Sequence, residues 1–248
     1  MPTHRDWLAE RPFTLALSAG FFGFFAHTGL LLALEEAGIL PARVVGISAG
    51  ALAGGLWASG LDGGTIADEL LRLRRADFWD PGLPLGGLLR GDKFATKLHQ
   101  LLDARGVAAF EACPVPFAAV VHDVLRRRPE AVAHGPLGPA IQASCAVPLM
   151  FRPRLRGLSI LVDGGVSDRW GLTALRDGER TLLHALPSRS AHSRLLPDQP
   201  LPPATEARRT LVIPGLPRVT PFRLDAGAHA LGVAREHVRR WLDAPVGA

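Results

Sequence analysis

The sequence predicts an α/β fold of three layers (α/β/α), in which a central, mainly parallel β-sheet lies between helices. The prediction rests first on apolar runs that alternate between strand and helix character from the start of the chain. It rests also on size, because 248 residues with 48% hydrophobic content supply a large core for one domain spanning residues 1–248. There is no fixed-period repeat and no composition shift that would mark a domain boundary.

The first part of the chain predicts two β-α units in succession. Phe13 to Leu17 is typical of a buried strand, and Phe24 to Ala37 of a helix that ends before a glycine. A short β-branched strand follows at 43–46, and the small residues 49–58 predict a second helix. Repeated β-α units place parallel strands side by side, with helices on the faces of the sheet.

The later elements are predicted from the same periodicities. Further helices are expected at 65–75, 92–104 (with Asp92 as N-cap), 136–144 and 225–242. Further strands are expected at 117–121, 158–162, 181–186 and 210–213. The Pro-rich segment 187–207 has little periodicity and is interpreted as a surface loop.

Phe13 to Leu34 carries no formal charge and has the length of a membrane span. Its glycines and the polar Ser18 and His27 favour a doubly covered α/β core instead. No secretory signal is recognised, and the two cysteines lack disulfide-framework or zinc-site spacing. We therefore expect a soluble protein of a reducing, cytoplasmic compartment.

The net charge of +5 is carried almost wholly by arginine and permits peripheral contact with an anionic membrane. Arg152, Arg154 and Arg156 alternate, so an extended segment would present them on one face, either to solvent or to lipid headgroups. Nucleic-acid binding is not expected, because the arginines are scattered and no recognition motif is present.

The segment Gly46-Ile47-Ser48-Ala49-Gly50 follows a predicted strand and begins a predicted helix. This context is typical of a nucleophile elbow, in which a serine sits on a sharp turn that tolerates only small neighbours. The N-terminus of the helix favours negative charge beside the serine. The alternative is a tight β-α turn in which Ser48 is merely a small N-cap residue. Serine also needs a base to become a good nucleophile.

Asp163-Gly164-Gly165 ends another predicted strand. The carboxyl ends of parallel strands share one edge of a sheet, so Asp163 can meet Ser48 despite their separation in sequence. The glycines let backbone pass close to the carboxylate. Asp62-Gly63-Gly64 has the same pattern, but it lies about 18 Å from Ser48 along the intervening helix. We interpret it as a turn, which is also the alternative for Asp163.

Ser18-Ala19-Gly20-Phe21-Phe22-Gly23 connects the first strand to the first helix. A glycine-rich loop in this place can direct backbone N–H groups at an oxyanion. Phosphate binding is disfavoured, because the G-x-G-x-x-G spacing and a P-loop lysine are both absent. The sequence predicts no metal and no cofactor.

These three sites, in this order, resemble those of the patatin-like phospholipase family, and the likeness runs from about Phe13 to Gly171. It includes the helix end at 34–38, the stretch 143–148 with Phe151 and Pro153, and a weaker match at 88–93. The resemblance implies that Ser48 is the nucleophile and Asp163 its general base in a Ser–Asp dyad. The oxyanion hole would then be formed by backbone amides among Gly20, Phe21, Phe22 and Gly23.

The loop departs from the G-G-G-x-[R/K]-G form of most family members. It is closer to the G-x-G-F-L-G form of the adipose triglyceride lipase and adiponutrin branch, with Ser18 at the position of the first glycine. The family resemblance implies a cofactor-free hydrolase of lipid acyl esters or small esters that acts through an acyl-enzyme, as a phospholipase A, lysophospholipase or esterase. Two alternatives are a catalytically silent lipid-binding homologue and an acyltransferase that uses the same acyl-enzyme.

A Ser-His-Asp triad is the mechanistic alternative, with candidate histidines at 184, 192, 229 and 237. The dyad is favoured, because the elbow follows only one strand, which is early for an α/β-hydrolase.

His27 is interpreted as a structural histidine, with a role behind the oxyanion loop as the alternative. Cys145 is expected to be a small buried hydrophobe. Core packing is expected for most of Phe21, Phe22, Phe24 and Phe25, although these could also line an acyl pocket. The oligomeric state is not predicted.

Overall fold

The computed structural model describes residues 1–83, 86–186 and 199–246. Its α-helices are α1 (His4–Glu10), α2 (Phe24–Glu36), α3 (Ala49–Ala58), α4 (Gly63–Leu71), α5 (Asp92–Asp103), α6 (Leu137–Ser144) and α7 (Ala226–Asp243). Its strands are β1 (Thr14–Leu17), β2 (Arg43–Ile47), β3 (Gly87–Leu89), β4 (Phe117–Asp123), β5 (Arg128–Val132), β6 (Leu149–Phe151), β7 (Arg154–Arg156), β8 (Ser159–Asp163), β9 (Thr181–Ala185) and β10 (Arg208–Val212).

The main sheet has the strand order β10-β9-β1-β2-β4-β8-β7, with β5 also paired to β4. The five strands β10, β9, β1, β2 and β4 are parallel, whereas β5, β7 and β8 pair antiparallel. A separate parallel pair joins β3 to β6. The predicted mainly parallel sheet is confirmed, and its parallel half is the part that carries the β-α units.

Alternate residues of each central strand face opposite sides of the sheet. Leu15 and Leu17 pack toward the α-helices, which form the larger core, and α2 packs against α7 on this side. Ala16 and Val45 face the other side. There the covering layer is the segment 164–175, which contains two short 3-10 helices at 164–166 and 172–174. Helices therefore lie on both faces, as the three-layer prediction required.

The direction of β8 is where the sequence argument was wrong. Asp163 was expected at the carboxyl end of a parallel strand, but β8 runs antiparallel to β4. Ile47 pairs with Val120, and Asp163 pairs with the next residue, Val121. Since β5 occupies the opposite edge of β4, strands β2 and β8 lie end to end along the same edge. The carboxyl ends of β2 and β8 consequently meet head-on.

Several local expectations also need correction. The N-terminus of α5 is capped by Asp80 rather than by Asp92: its carboxylate accepts hydrogen bonds from the N–H groups of Gly91, Asp92 and Lys93 at 2.9, 2.6 and 3.1 Å. The helix α4 begins and ends earlier than predicted, and α1, β3, β5, β6 and β7 were not predicted at all.

The predicted Pro-rich loop lies outside the described residues at 187–198, and its remainder, 199–207, has no regular structure. Across the described ranges, no helix combines the length and the apolar character needed to cross a bilayer.

Candidate active site

Ser48 lies on a sharp turn between β2 and α3, at φ 53° and ψ −117°, which is strained for a residue with a side chain. The turn is possible because its glycines allow close backbone contact. A Cβ atom on Gly46 would overlap the carbonyl oxygen of Gly50, and one on Gly50 would overlap that of Leu17. This strained strand–turn–helix geometry is that of a nucleophile elbow, with Ala49 as the first residue of the helix.

The backbone of the elbow is held by side chains from α6 and its C-cap, a support that the sequence did not predict. The Ser48 N–H donates to Ser144 Oγ at 2.9 Å, and Ser144 Oγ donates to the Val120 carbonyl at 2.6 Å. The Cys145 thiol contacts the Ser48 carbonyl oxygen at 3.2 Å. The only available sequence signal was that both residues lie in the stretch 143–148 that resembles the family. Cys145 was expected only to be a small buried hydrophobe, and no role was assigned to Ser144.

Asp163 is buried at the end of β8, and its carboxyl is near enough to the Ser48 hydroxyl for that hydroxyl to lower its pKa. The Gly165 N–H donates to Asp163 Oδ1 at 2.8 Å. Burial raises the pKa of Asp163 from 3.8 to about 6, against the opposing effects of the Ser48 hydroxyl and the Gly165 N–H. A Cβ atom on Gly164 would overlap the Val120 carbonyl oxygen, so the turn requires glycine there. The structure thus brings Ser48 and Asp163 together, with a carboxyl poised to titrate near neutral pH.

The loop at 18–23 passes beside the elbow. The Ala19 N–H donates to the Arg169 carbonyl at 2.9 Å, and the Gly23 N–H donates to the Gly20 carbonyl at 2.8 Å. The Gly23 amide is therefore used inside the loop, unlike the role considered for it from the sequence. The N–H groups of Gly20, Phe21 and Phe22 donate no hydrogen bond within residues 1–83, 86–186 and 199–246. These three residues line the pocket that contains Ser48, so their amides are the candidate oxyanion donors.

A buried pair of histidines lies behind this loop. His27 Nε2 lies 3.0 Å from the Ser18 carbonyl oxygen, and His27 Nδ1 lies 2.9 Å from His184 Nδ1. A carbonyl only accepts, so a neutral His27 carries its proton on Nε2 and accepts from His184 through Nδ1. Burial lowers the pKa of His27 to about 4 and that of His184 well below its usual value, which keeps both rings neutral at pH 7.

The side chain of Ser18, at the start of the loop, has a structural use. The Leu186 N–H donates to Ser18 Oγ at 2.9 Å, which ties the start of the loop to the end of β9. Together with the His27 contact, this anchors the loop from both its carbonyl and its side chain.

The structure describes three of the four histidines considered for a triad. His184 is fully buried against His27, and His229 and His237 lie on α7. Among the residues that the structure describes, no histidine lines the Ser48 pocket. His192 lies outside the described residues. Asp62 of the other Asp-Gly-Gly motif caps α4, accepting from the Thr65 N–H at 2.8 Å.

The pocket beside Ser48 has a volume of about 960 Å³, including its open mouth. Apart from a few polar groups its lining is apolar and comes from the loop at 18–23, from α3, α4 and α5, and from β6. Phe21, Phe22 and Phe24 contribute to it, whereas Phe25 belongs to the core. One wall carries an ion pair between Lys97 and Glu69, at 2.7 Å. Its lining suits an apolar ligand.

In the described part of the chain, no group of three or more His, Cys, Asp or Glu side chains is arranged to hold a metal ion.

Comparison with known proteins places the chain in a family. An uncharacterised NTE family protein of Mycobacterium tuberculosis is 35% identical over 156 residues, which are 62% of this chain and 42% of that protein. Neuropathy target esterase sws of Drosophila melanogaster is 26% identical over 167 residues, covering 64% of this chain and 12% of that protein. The chain therefore spans less than half the length of these relatives.

The fold is shared with VipD from Legionella pneumophila, whose crystal structure matches with a TM-score of 0.65 at 13% identity, covering 94% of this chain and 67% of that one. The family model described as patatin-like phospholipase matches residues 15–175, which is more than half of the chain. The chain belongs to the patatin-like phospholipase family.

Proposed function

We propose that the protein is a serine hydrolase that cleaves carboxylic esters of lipids through an acyl-enzyme. The observation that carries the proposal is the hydroxyl of Ser48, whose backbone is strained, beside the buried carboxyl of Asp163. Ser48 lines an apolar pocket. Family membership supports hydrolysis of lipid esters, and the name of the fly relative includes an esterase.

In the first half of the reaction, Asp163 accepts the proton of Ser48 Oγ as the oxygen attacks the ester carbonyl carbon. The negative charge that develops on the carbonyl oxygen is stabilised by the amides of Gly20, Phe21 and Phe22 and by the N-terminus of α3 at Ala49. The C–O bond to the alcohol then breaks, and Asp163 returns the proton to the departing alkoxide. The product that remains is an ester of Ser48.

In the second half, Asp163 removes a proton from water, whose oxygen attacks the acyl carbon. The same amides stabilise the second oxyanion, and the proton passes from Asp163 to Ser48 Oγ as the acid leaves. The raised pKa of Asp163 suits this role, because a base with a pKa near the working pH both binds and releases a proton readily. The apolar pocket would hold the acyl chain, with Phe21 and Phe22 beside the reacting carbon.

A fluorophosphonate probe followed by intact-mass measurement tests the dyad. We expect one adduct on the wild type, none on Ser48→Ala and at least 100-fold slower labelling of Asp163→Asn, on the scale of losing an activating base. Asp62→Asn is the matched control, since it alters the other Asp-Gly-Gly motif, and it should be labelled at the wild-type rate. Labelling of Asp163→Asn at the wild-type rate would contradict the dyad.

Hydrolysis of a soluble ester by the same variants then measures turnover. For the wild type, kcat/KM should fall about tenfold per pH unit below pH 6, where Asp163 becomes protonated. Product analysis with an added alcohol distinguishes a hydrolase, which releases free acid, from an acyltransferase, which forms a new ester.

A further inference from the structure

Two adjacent turns extend beyond the catalytic edge of the sheet. Strand β4 continues for three residues past Val120, the partner of the last residue of β2, and β8 pairs along this extension. The β4–β5 turn and the β7–β8 turn therefore both lie on the side of the sheet where Ser48 and Asp163 meet. They are joined by a hydrogen bond of 2.9 Å from the Val124 N–H to the Ile160 carbonyl. We call residues 124–128 and 154–158 the tip.

The tip exposes large apolar side chains that no core requires. Leu158 is 90% exposed, Leu155 is 79% exposed and Leu125 is 61% exposed. Single exposed leucines are common on protein surfaces, but here three of them lie within the two neighbouring segments of the tip, Leu125 and Leu158 in its turns and Leu155 in β7. Exposure of these leucines to water is unfavourable, so their transfer into an apolar environment would favour binding of the tip there.

The tip is also basic. It contains Arg126, Arg127, Arg128, Arg154 and Arg156. Arg126 is paired with Asp123, and Arg156 with Glu130 at 3.5 Å. Within the portions of the chain that the structure describes, Arg127 and Arg128 form no ion pair. Asp123 and Glu130 are the only acidic residues in the sequence from 123 to 162, so the five arginines of the tip exceed the acidic residues of this stretch by three.

We propose that the tip is a docking surface for an anionic lipid bilayer. Leucines flanked by arginines match such a surface, because the leucines can enter the boundary of the acyl chains while guanidinium groups bind phosphates. A second copy of this chain would have to supply an acidic face to match the same charge. The proposal rests on the proposed function, because docking would bring a lipid substrate to the catalytic site. Leu158 lies five residues before Asp163 along the strand, so about 16 Å separates the tip from the site.

The test is vesicle binding of the full chain carrying Ser48→Ala, which avoids turnover. We expect binding to vesicles of phosphatidylcholine with phosphatidylserine to be at least tenfold stronger than to phosphatidylcholine alone. Leu155→Ser with Leu158→Ser should lower binding to the mixed vesicles at least tenfold. Arg127→Gln with Arg128→Gln should lower it about 25-fold, at about fivefold per arginine, and should leave binding to neutral vesicles unchanged.

Leu40→Ser is the matched control. Leu40 is 59% exposed but lies before the first residue of β2, at the opposite ends of the strands from the tip, so its replacement should not change binding. Equal vesicle binding by the tip variants and the control would overturn the proposal. So would a self-association, measured by sedimentation velocity without vesicles, that the tip variants abolish while vesicle binding stays absent.

The tip variants on the wild-type background separate this proposal from the proposed function. They should hydrolyse a soluble short-chain ester at the wild-type rate and lose activity only on phospholipid in anionic vesicles. Vesicle binding without any esterase activity would retain the docking surface and refute the hydrolase. Esterase activity with no vesicle binding would support the hydrolase and refute the docking surface.

Discussion

Replacement of Asp163 by Asn is expected to stabilise the protein at high pH while it removes the base. Burial raises the pKa of Asp163 from 3.8 to about 6, whereas the unfolded chain titrates near the ordinary value. This difference corresponds to about 3 kcal/mol, which burial of the ionised carboxylate subtracts from the free energy of unfolding. Below pH 3.8 both states hold the proton and nothing is subtracted. The loss grows as the pH rises and is complete above pH 6.

Asparagine at this position keeps an oxygen that can accept from the Gly165 N–H, whose present distance to Asp163 Oδ1 is 2.8 Å, and it has no ionised form. Urea unfolding of the wild type and Asp163→Asn at pH 4 and pH 8 measures the effect. The difference between the two free energies of unfolding should shift by about 2–3 kcal/mol in favour of the variant as the pH rises. Other groups titrate in both proteins and cancel.

Asp62→Asn serves as the control of opposite sign. Hydrogen bonds from the Thr65 N–H and hydroxyl lower the pKa of Asp62, so its carboxylate stabilises the fold above pH 4, and the Asn variant should lose stability as the pH rises. A pH-independent difference between the wild type and Asp163→Asn would refute the reasoning, because it would mean that burial does not perturb the Asp163 carboxyl.

Two further predictions concern side chains that hold the site. Ser144→Ala removes the acceptor of the Ser48 N–H and should lower the free energy of unfolding by about 1–3 kcal/mol. The control is Ser59→Ala, which removes another buried hydroxyl, at the end of α3, that donates to the Leu56 carbonyl at 2.7 Å. Ser144→Ala should lower kcat on a soluble ester more than the control does. Equal kcat in the two variants would limit Ser144 to a structural role. His27→Phe should lower kcat with little change in KM, since it frees the Ser18 carbonyl behind the oxyanion loop, and His27→Gln, which keeps a donor, should recover part of the loss. An unchanged kcat in His27→Phe would contradict this positioning role.

The parallel half of the fold was predictable because each of its elements has a strong local pattern. The helix at 49–58 was located at its observed bounds, and the strands and helices around it to within about two residues, except that α4 ends four residues earlier than predicted. The missed strands β3, β6 and β7 contain three residues each, too few for a periodic signal. Strands β3 and β6 form through pairing with each other although they are distant in sequence, and β7 forms through pairing with its neighbour β8. The capping of α5 by Asp80 was also missed. Asp80 lies 12 residues before Asp92, the first residue of the helix, so no local pattern links it to the helix.

The contents of the pocket were only partly predictable. Phe21 and Phe22 were candidates because they lie in the loop before the first helix. The apolar faces of α4 and α5 were visible from their periodicity, but not the fact that Leu70 and Leu98, which belong to the core, also line the pocket that contains Ser48. Which side of an amphipathic helix leaves a gap is decided by how neighbouring helices pack.

The sequence by itself determined the local chemistry: a serine between glycines at a strand-to-helix turn, an aspartate followed by two glycines, and a loop with glycines at 20 and 23. These features depend on backbone contacts within a few residues, which residue type controls directly. Tertiary structure alone decided that Asp163 reaches Ser48 from an antiparallel strand, that Ser144 supports the elbow, and that burial raises the pKa of the carboxyl. The pairing of distant strands and the exclusion of water are properties of the assembled core, so no local pattern contains them.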